Sequence, residues 1–332
     1  MILIVYGTRP EYIKVKPLIE EFKKESIPFK TLFTGQHKDL VTTEADYNLE
    51  MVDYGGNRLD SVMKNCLSIP DEYFEDITHV LVQGDTTSVL GIAMTAYHRK
   101  IKIIHLEAGL RTYDMDNPFP EEANRQLVSK IADIHLCPTE NNLKNLTNEL
   151  IGGIKVVVGN TGLDNLVHLR DKCEYTNKVL VTLHRRENHD KIDKWFTQID
   201  ELAKDNPNLE FILPIHPNPN VIRHKDLLKH VLVINPLKYN ELLDLLIKTR
   251  LVITDSGGLQ EECSFFKKKC LVCRKITERP ESIGTSSFLI NEPSDLSNIF
   301  YEHIKNYEIN NKCPFGDGYS SHRIAEFIQN II

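Results

Sequence analysis

Met1-Ile-Leu-Ile-Val-Tyr-Gly7-Thr-Arg-Pro-Glu11-Tyr-Ile-Lys14 decides the fold. An apolar run of strand length ends at a glycine, and Pro10 suits the first turn of the helix expected over Tyr12–Lys24. Arg9 and Lys14 are two cations near a helix N-terminus, a place where the helix dipole disfavours them, so an anionic partner is implied. The run is too short for a signal peptide core and lacks its basic flank.

The same unit recurs outward along the chain. Apolar runs at Phe29–Thr34, His79–Gln83, Lys102–Leu106, Ile134–Cys137 and Ile154–Val158 read as strands, with a further helix over Glu121–Ala132. A second series follows at Lys178–Leu183, Leu209–Ile215, Val231–Asn235, Leu251–Thr254 and Lys269–Cys273. Continuous Val/Ile/Leu runs alternating with helices mark parallel sheets buried on both faces. Two series mean two doubly wound α/β domains, divided near Asn160–Leu169, and Ser320–Ile332 reads as a terminal helix.

In open parallel sheets ligands sit beyond the carboxyl ends of the strands. The polar clusters of this chain fall there: Gly7-Thr-Arg-Pro-Glu11, Gly84-Asp-Thr86, Glu107-Ala-Gly-Leu-Arg111, His184-Arg-Arg186, His216-Pro-Asn218 and Asp255-Ser-Gly-Gly258. Any one could be a plain strand-to-helix loop; six together point to one cleft.

The 332 residues suit two domains, and a net charge of −7 argues against a broadly basic nucleic-acid-binding surface. No apolar run reaches the length of a bilayer span. Seven scattered cysteines read as reduced thiols of a cytoplasmic protein. Cys270-Leu-Val-Cys273 matches CxxC but lies in a strand, whereas redox pairs open a helix.

Thr254-Asp-Ser-Gly-Gly-Leu-Gln-Glu-Glu262 ends a strand, removes side-chain bulk and starts a helix, which is the construction of a phosphate site. Glu262, one turn in, suits ribose hydroxyls; the plainer alternative is a helix capped by Ser256 or Asp255. Asp85, Glu107 and Glu121 adjoin successive strand ends. Arg125, four residues after Glu121, makes either a solvated surface pair with it or a buried constellation fixing a carboxylate's ionisation. His184 followed by two arginines suits a pyrophosphate. The dinucleotide GxGxxG, the phosphate-loop pattern and a serine-nucleophile elbow are absent, and the histidines lack metal-ligand spacing.

Together these motifs, with Gln83-Gly-Asp-Thr-Thr87, His105-Leu-Glu-Ala-Gly-Leu-Arg-Thr112, Pro118-Phe-Pro-Glu-Glu-Ala-Asn-Arg125, Gly159-Asn-Thr161, Thr277-Glu-Arg-Pro-Glu281 and Gly316-Asp-Gly318, resemble the non-hydrolysing UDP-N-acetylglucosamine 2-epimerase family over nearly the whole chain. The resemblance implies a GT-B-like fold, two Rossmann-like domains over 1–165 and 166–318 with the active site in the cleft between them, and a last helix over 319–332 returning to the first domain. It implies a homodimer acting on a UDP-sugar, with no cofactor, no metal, no nucleic acid and no membrane. By position, Asp85, Glu107, Glu121, Arg125, His184 and Lys14 form the catalytic set. Arg9, His216, Ser256, Gly257, Gly258, Glu262 and Arg274 bind the UDP-sugar.

The implied chemistry is elimination of UDP to a 2-acetamidoglycal and its re-addition on the opposite face. Rival readings are a hydrolysing 2-epimerase releasing free sugar, a GT-B glycosyltransferase, and a catalytically silent UDP-sugar binding protein. The chain departs from the family at Gln36-His37-Lys38-Asp39, where relatives carry Gln-His-Arg-Gln or Gln-His-Arg-Glu in the segment for a second, activating UDP-N-acetylglucosamine. Leu183 stands where glycine is common. These departures leave allosteric activation and the choice of sugar, 6-deoxy or diacetamido relatives included, open.

Overall fold

The computed structural model describes residues 1–36 and 45–331. His37, Lys38 and Asp39 lie outside them, so the departure noted there has no structural account. The chain divides into two compact units, one formed by 1–166 with 316–332 and the other by 167–315.

The first unit carries β1 (Ile2–Tyr6), α1 (Arg9–Lys24), β2 (Phe29–Phe33), β3 (Tyr47–Asn48), α2 (Arg58–Leu67), β4 (His79–Gln83), α3 (Thr87–His98), β5 (Lys102–Leu106), α4 (Glu121–Ile131), β6 (Ile134–Cys137), α5 (Glu140–Asn148) and β7 (Ile154–Val157). The strands pair in parallel in the order β3-β2-β1-β4-β5-β6-β7. Successive residues of a strand face opposite sides, and both sides are dry. Leu3, Val5, Val80 and Val82 join Val62, Val89, Ile92 and Val128 of α2, α3 and α4 in one core. Ile2, Ile4, Leu81 and Ile104 join Val15, Leu18 and Phe22 of α1 in the other. That two-sided burial is why the strands read as unbroken apolar runs.

The second unit carries β8 (Lys178–Thr182), α6 (Ile192–Asp205), β9 (Glu210–Pro214), α7 (Pro219–Ile222), β10 (Leu232–Ile234), α8 (Tyr239–Leu246), β11 (Thr249–Thr254), α9 (Gly257–Phe265), β12 (Lys269–Val272), β13 (Ser287–Leu289) and α10 (Leu296–Lys305). Its parallel sheet runs β10-β9-β8-β11-β12-β13. Counted from its own first strand this is 3-2-1-4-5-6, the Rossmann order, which the first unit shares with a seventh strand added at the β6 edge. Trp195, Phe196, Phe211 and Phe300 fill its main core. The last helix, α11 (Ser320–Ile331), packs on α1 with Ile324, Ala325 and Ile328 in the first unit's core. Asp164 receives the N–H groups of Ser320 and Ser321 at 3.0 and 2.6 Å at its start.

The eleven runs read as strands are all strands, with ends shifted by no more than two residues; β3 and β13 were not anticipated. Cys270 and Cys273 are fully buried free thiols, and burial pushes the Cys273 thiol well up, away from redox chemistry.

Candidate active site

In a doubly wound sheet the chain leaves the two central strands in opposite directions, and the loops beyond their carboxyl ends part to leave a crevice. In the first unit those strands are β1 and β4. Gly7 follows β1, and a Cβ there would lie 2.0 Å from the Thr34 Oγ1, so only glycine fits. Thr8 caps α1 in a reciprocal capping box with Glu11. The buried Glu11 carboxylate accepts from Gly7 N at 2.5 Å and Thr8 N at 2.9 Å with one oxygen, and from the Thr86 hydroxyl at 2.7 Å with the other. Thr86 caps α3, so one carboxylate ties the loops after β1 and β4 together. Burial raises the Glu11 pKa against the lowering effect of these hydrogen bonds.

Next to it stand two charged groups of three. Lys14, one turn into α1, pairs with the buried Glu107, and the Gln83 amide donates to the same Glu107 oxygen. Glu107 holds φ at 66°, a left-handed conformation that a non-glycine residue adopts only at a cost of about 1–3 kcal/mol. Asp85 receives Arg125 Nε at 2.8 Å and Nη2 at 2.7 Å. Its backbone is held too: the Gly84 carbonyl meets His105 Nε2 at 2.8 Å, and the Asp85 carbonyl accepts from the Asn124 amide at 2.8 Å. Burial pulls His105 down to about 4, so its ring is neutral and the contact is an Nε2–H donor.

Arg125 is buried, which removes the solvated-surface reading, and besides Asp85 it pairs with the buried Glu122, at 3.0 Å from Nη1. Glu122 also accepts the N–H groups of Thr112 and Tyr113 and so fixes the loop that delivers α4. Glu121 is the first residue of α4 and half-buried; Arg9 is the first residue of α1 and exposed.

In the second unit the central strands are β8 and β11. Asp255, fully buried after β11, accepts from His184 N at 3.0 Å, Arg185 N at 2.8 Å and the Asn188 amide at 3.1 Å. It is not the helix cap. Ser256 holds the cap position of α9 and makes no side-chain cap bond. The His184 and His216 rings stack at 5.0 Å and 12°. Burial lowers both imidazole pKa values, with Asp255 acting to raise them. Gly257 opens α9 against the Arg279 guanidinium, while a Cβ on Gly258 would meet nothing within 4 Å. Glu262 accepts from Tyr239 at 2.9 Å. Arg274 is buried between Glu187 at 2.7 Å and Glu278 at 2.9 Å, so its guanidinium serves a carboxylate network.

Among the described residues, the one grouping with metal-ligand proximity is Glu21, Glu25 and His322, where Lys24 already pairs with both glutamates. Glu11, Gln83, His105, Glu122 and Asn124 lie in the quoted motifs but were given no role there, Tyr239 lies outside them, and the carboxylate role of Asp255 was not anticipated. Only Glu11 carried a local signal, the Thr8-x-x-Glu11 capping box.

The sequence profile of the UDP-N-acetylglucosamine 2-epimerase family matches residues 20–329. The UDP-N-acetylglucosamine 2-epimerases of Neisseria meningitidis and Campylobacter jejuni are each 36% identical; the alignments cover 98% and 100% of this chain and 98% and 97% of the relatives. The Neisseria meningitidis enzyme bound to UDP-GlcNAc superposes with a TM-score of 0.89 at 34% identity over 99% of both chains. The Methanocaldococcus jannaschii enzyme in complex with UDP-GlcNAc and UDP gives 0.82 at 30% identity, again over 99% of both. With two Rossmann-like units of GT-B-like type and this agreement along its length, the chain belongs to the UDP-N-acetylglucosamine 2-epimerase family.

Proposed function

We propose that this protein inverts carbon 2 of a UDP-linked 2-acetamido sugar by eliminating UDP and adding it back. The C2 proton is not α to a carbonyl, so its removal needs help from the departing diphosphate. A carboxylate takes the proton, the C2–H electron pair becomes the C1=C2 bond of a 2-acetamidoglycal, and the C1–O pair leaves with the β-phosphate oxygen. In the return step that oxygen rebinds C1 while a second acidic group protonates C2 on the other face. Two faces call for at least two carboxylates, and the leaving charge calls for cations and a helix N-terminus.

The observation that carries the reading is Glu107, held in a left-handed backbone conformation against Lys14 and Gln83, beside an Asp85 gripped by Arg125. Asp85, Glu107 and Glu121 supply proton transfer, with Lys14 and Arg125 setting the charge around them. Arg9, His184, His216 and the Ser256–Gly258 turn take the diphosphate, Glu262 the ribose, and Arg274 orders the second unit's loops. Among the described residues no helix is long and apolar enough to cross a membrane. A cytoplasmic location fits the seven free thiols. Homodimerisation fits the exposed Tyr97 and Leu127 on the adjoining α3 and α4, and sedimentation tests it.

Incubation with UDP-N-acetylglucosamine in deuterated water, followed by NMR, should give a UDP-linked epimer deuterated at C2. Free sugar plus UDP would mean hydrolysis, and unchanged substrate across 6-deoxy and diacetamido analogues would end the epimerase reading. Glu107→Gln and Asp85→Asn should each abolish exchange while UDP still binds; near-normal exchange in both refutes the carboxylate assignment.

A further inference from the structure

His184 is held from three directions. Its ring lies flat against His216, its carbonyl meets His189 Nε2 at 3.1 Å, and its backbone N–H is fixed by Asp255. The Asp255 carboxylate reaches further: one oxygen stands 3.5 Å from His184 Nδ1. The carboxylate is itself immobilised. Asn188, which donates to it, also donates to the Cys273 carbonyl at 2.9 Å and receives the Trp195 indole N–H at 3.1 Å.

We propose that Asp255 is a positioning residue for His184: it selects the tautomer with hydrogen on Nδ1, leaves Nε2 for the ligand, and is the counter-ion of the imidazolium that forms against a bound diphosphate. This deepens the reading of the His184 loop as a UDP site and rests on it. An acid that holds an imidazole from behind fixes both its orientation and its charged form without touching substrate. The groups facing the ring make such a counter-ion necessary. Arg185 and His189 on its own loop disfavour a positive ring, as does burial, while Asp255 favours it; a charge on His184 in turn disfavours one on the stacked His216 after β9. In the ligand-free protein the ring is therefore pushed toward neutrality. An arriving diphosphate adds the negative charge that tips it, with the proton taken up from solvent.

The test follows the His184 imidazole by NMR through a pH titration of the ligand-free full-length protein. Asp255→Asn should lower the His184 inflection by about 1–3 units, the span an opposite charge at this range supplies, or leave the ring neutral to the acid limit of the fold. Asn188→Ala removes a structural tie and no charge, so its inflection should stay within a few tenths of a unit. An inflection unmoved in Asp255→Asn, or moved as far in Asn188→Ala, overturns the proposal. If Asp255→Asn does not fold, the wild-type protein decides. The labelled Asp255 carboxyl carbon should then show a second inflection at the His184 titration point, and a flat trace there overturns the proposal as well. Because no UDP-sugar is present, these outcomes stand whether or not deuterium enters C2. A protein that exchanges deuterium while His184 ignores Asp255 loses this inference alone.

Discussion

Gly257 and Gly258 are adjacent, both at the start of α9, and neither has a left-handed φ, so a methyl group at each probes space alone. At Gly257 the new Cβ would lie 2.6 Å from Arg279 Nη1 and 2.9 Å from Glu278 Oε1. Relief means moving the guanidinium by about 0.5–1 Å to restore ordinary contact. Arg279 is buried and ion-paired to both Glu261 and Glu278, so it cannot swing away. If the network shifts as a body the cost is about 1–3 kcal/mol, as for overpacking; if the Arg279–Glu278 pair breaks, it rises toward about 3–5 kcal/mol. At about 2–4 °C per kcal/mol for a unit of this size, Gly257→Ala should lower Tm by roughly 2–12 °C if the network shifts as a body and by roughly 6–20 °C if the pair breaks. Gly258→Ala meets nothing, and by restricting the unfolded chain should leave stability unchanged or raise it by about 0.4–1 kcal/mol. It would, however, occupy the open space over the helix N-terminus where a phosphate would stand. Thermal unfolding with and without UDP separates the two: Gly257→Ala falls in both conditions, and Gly258→Ala loses only the UDP-induced rise. If Gly258→Ala melts as low as Gly257→Ala, or keeps the full UDP shift, the assignment of the turn is wrong.

Thr86→Val removes both the α3 cap and the donor to buried Glu11, and should cost about 2–4 kcal/mol in urea unfolding; a loss under about 1 kcal/mol would show the loop tie to be unimportant. Burial depresses His105 and His135 from 6.5 to about 4. A depressed histidine favours the fold while neutral, so its contribution is complete above pH 6.5 and declines as pH falls toward 4. The decline is worth about 3 kcal/mol per ring, and His105→Phe should flatten the fall in Tm across that window even though it starts lower at neutral pH. Raised Glu11 and Asp164 act in the opposite sense, so the comparison is with wild type at each pH. Tyr239→Phe removes one donor from Glu262 and should raise the Kd for UDP roughly tenfold in calorimetry, with the deuterium-exchange rate at saturation little changed; an unaltered Kd refutes the link.

Strands such as Ile2–Tyr6 and Lys102–Leu106 were legible because both their faces are buried, which leaves a continuous apolar run in the sequence. β3, two residues long, and β13, Ser287–Leu289, are edge strands defined by a neighbour's hydrogen bonds, and composition carries no record of that. The loops of the site were legible for a related reason: in a parallel sheet polar residues just past an apolar run stand at the ligand-facing end. Who pairs with whom was not. Lys14 and Glu107 are 93 positions apart and Arg125 and Asp85 are 40, separations that helical spacing cannot report. Asp255 was weighed as a helix cap since that is what an acid before Ser-Gly-Gly does locally; its partners lie about 70 residues upstream.

The first unit is discontinuous, and α11 belongs to it although the whole second unit is encoded between them. On a ribosome adding about 5–20 residues per second, the roughly 150 intervening residues delay α11 by roughly 8–30 s. During that interval Leu18 and Phe22 of α1 lack the cover of Ile324, Ala325 and Ile328, and the carboxylate of Asp164 waits for Ser320 and Ser321. The nascent chain thus exposes an apolar face of α1 until α11 has been made. A product terminated before α11 would carry that face permanently, which marks it for chaperone retention or degradation before any chemistry at the sugar is attempted.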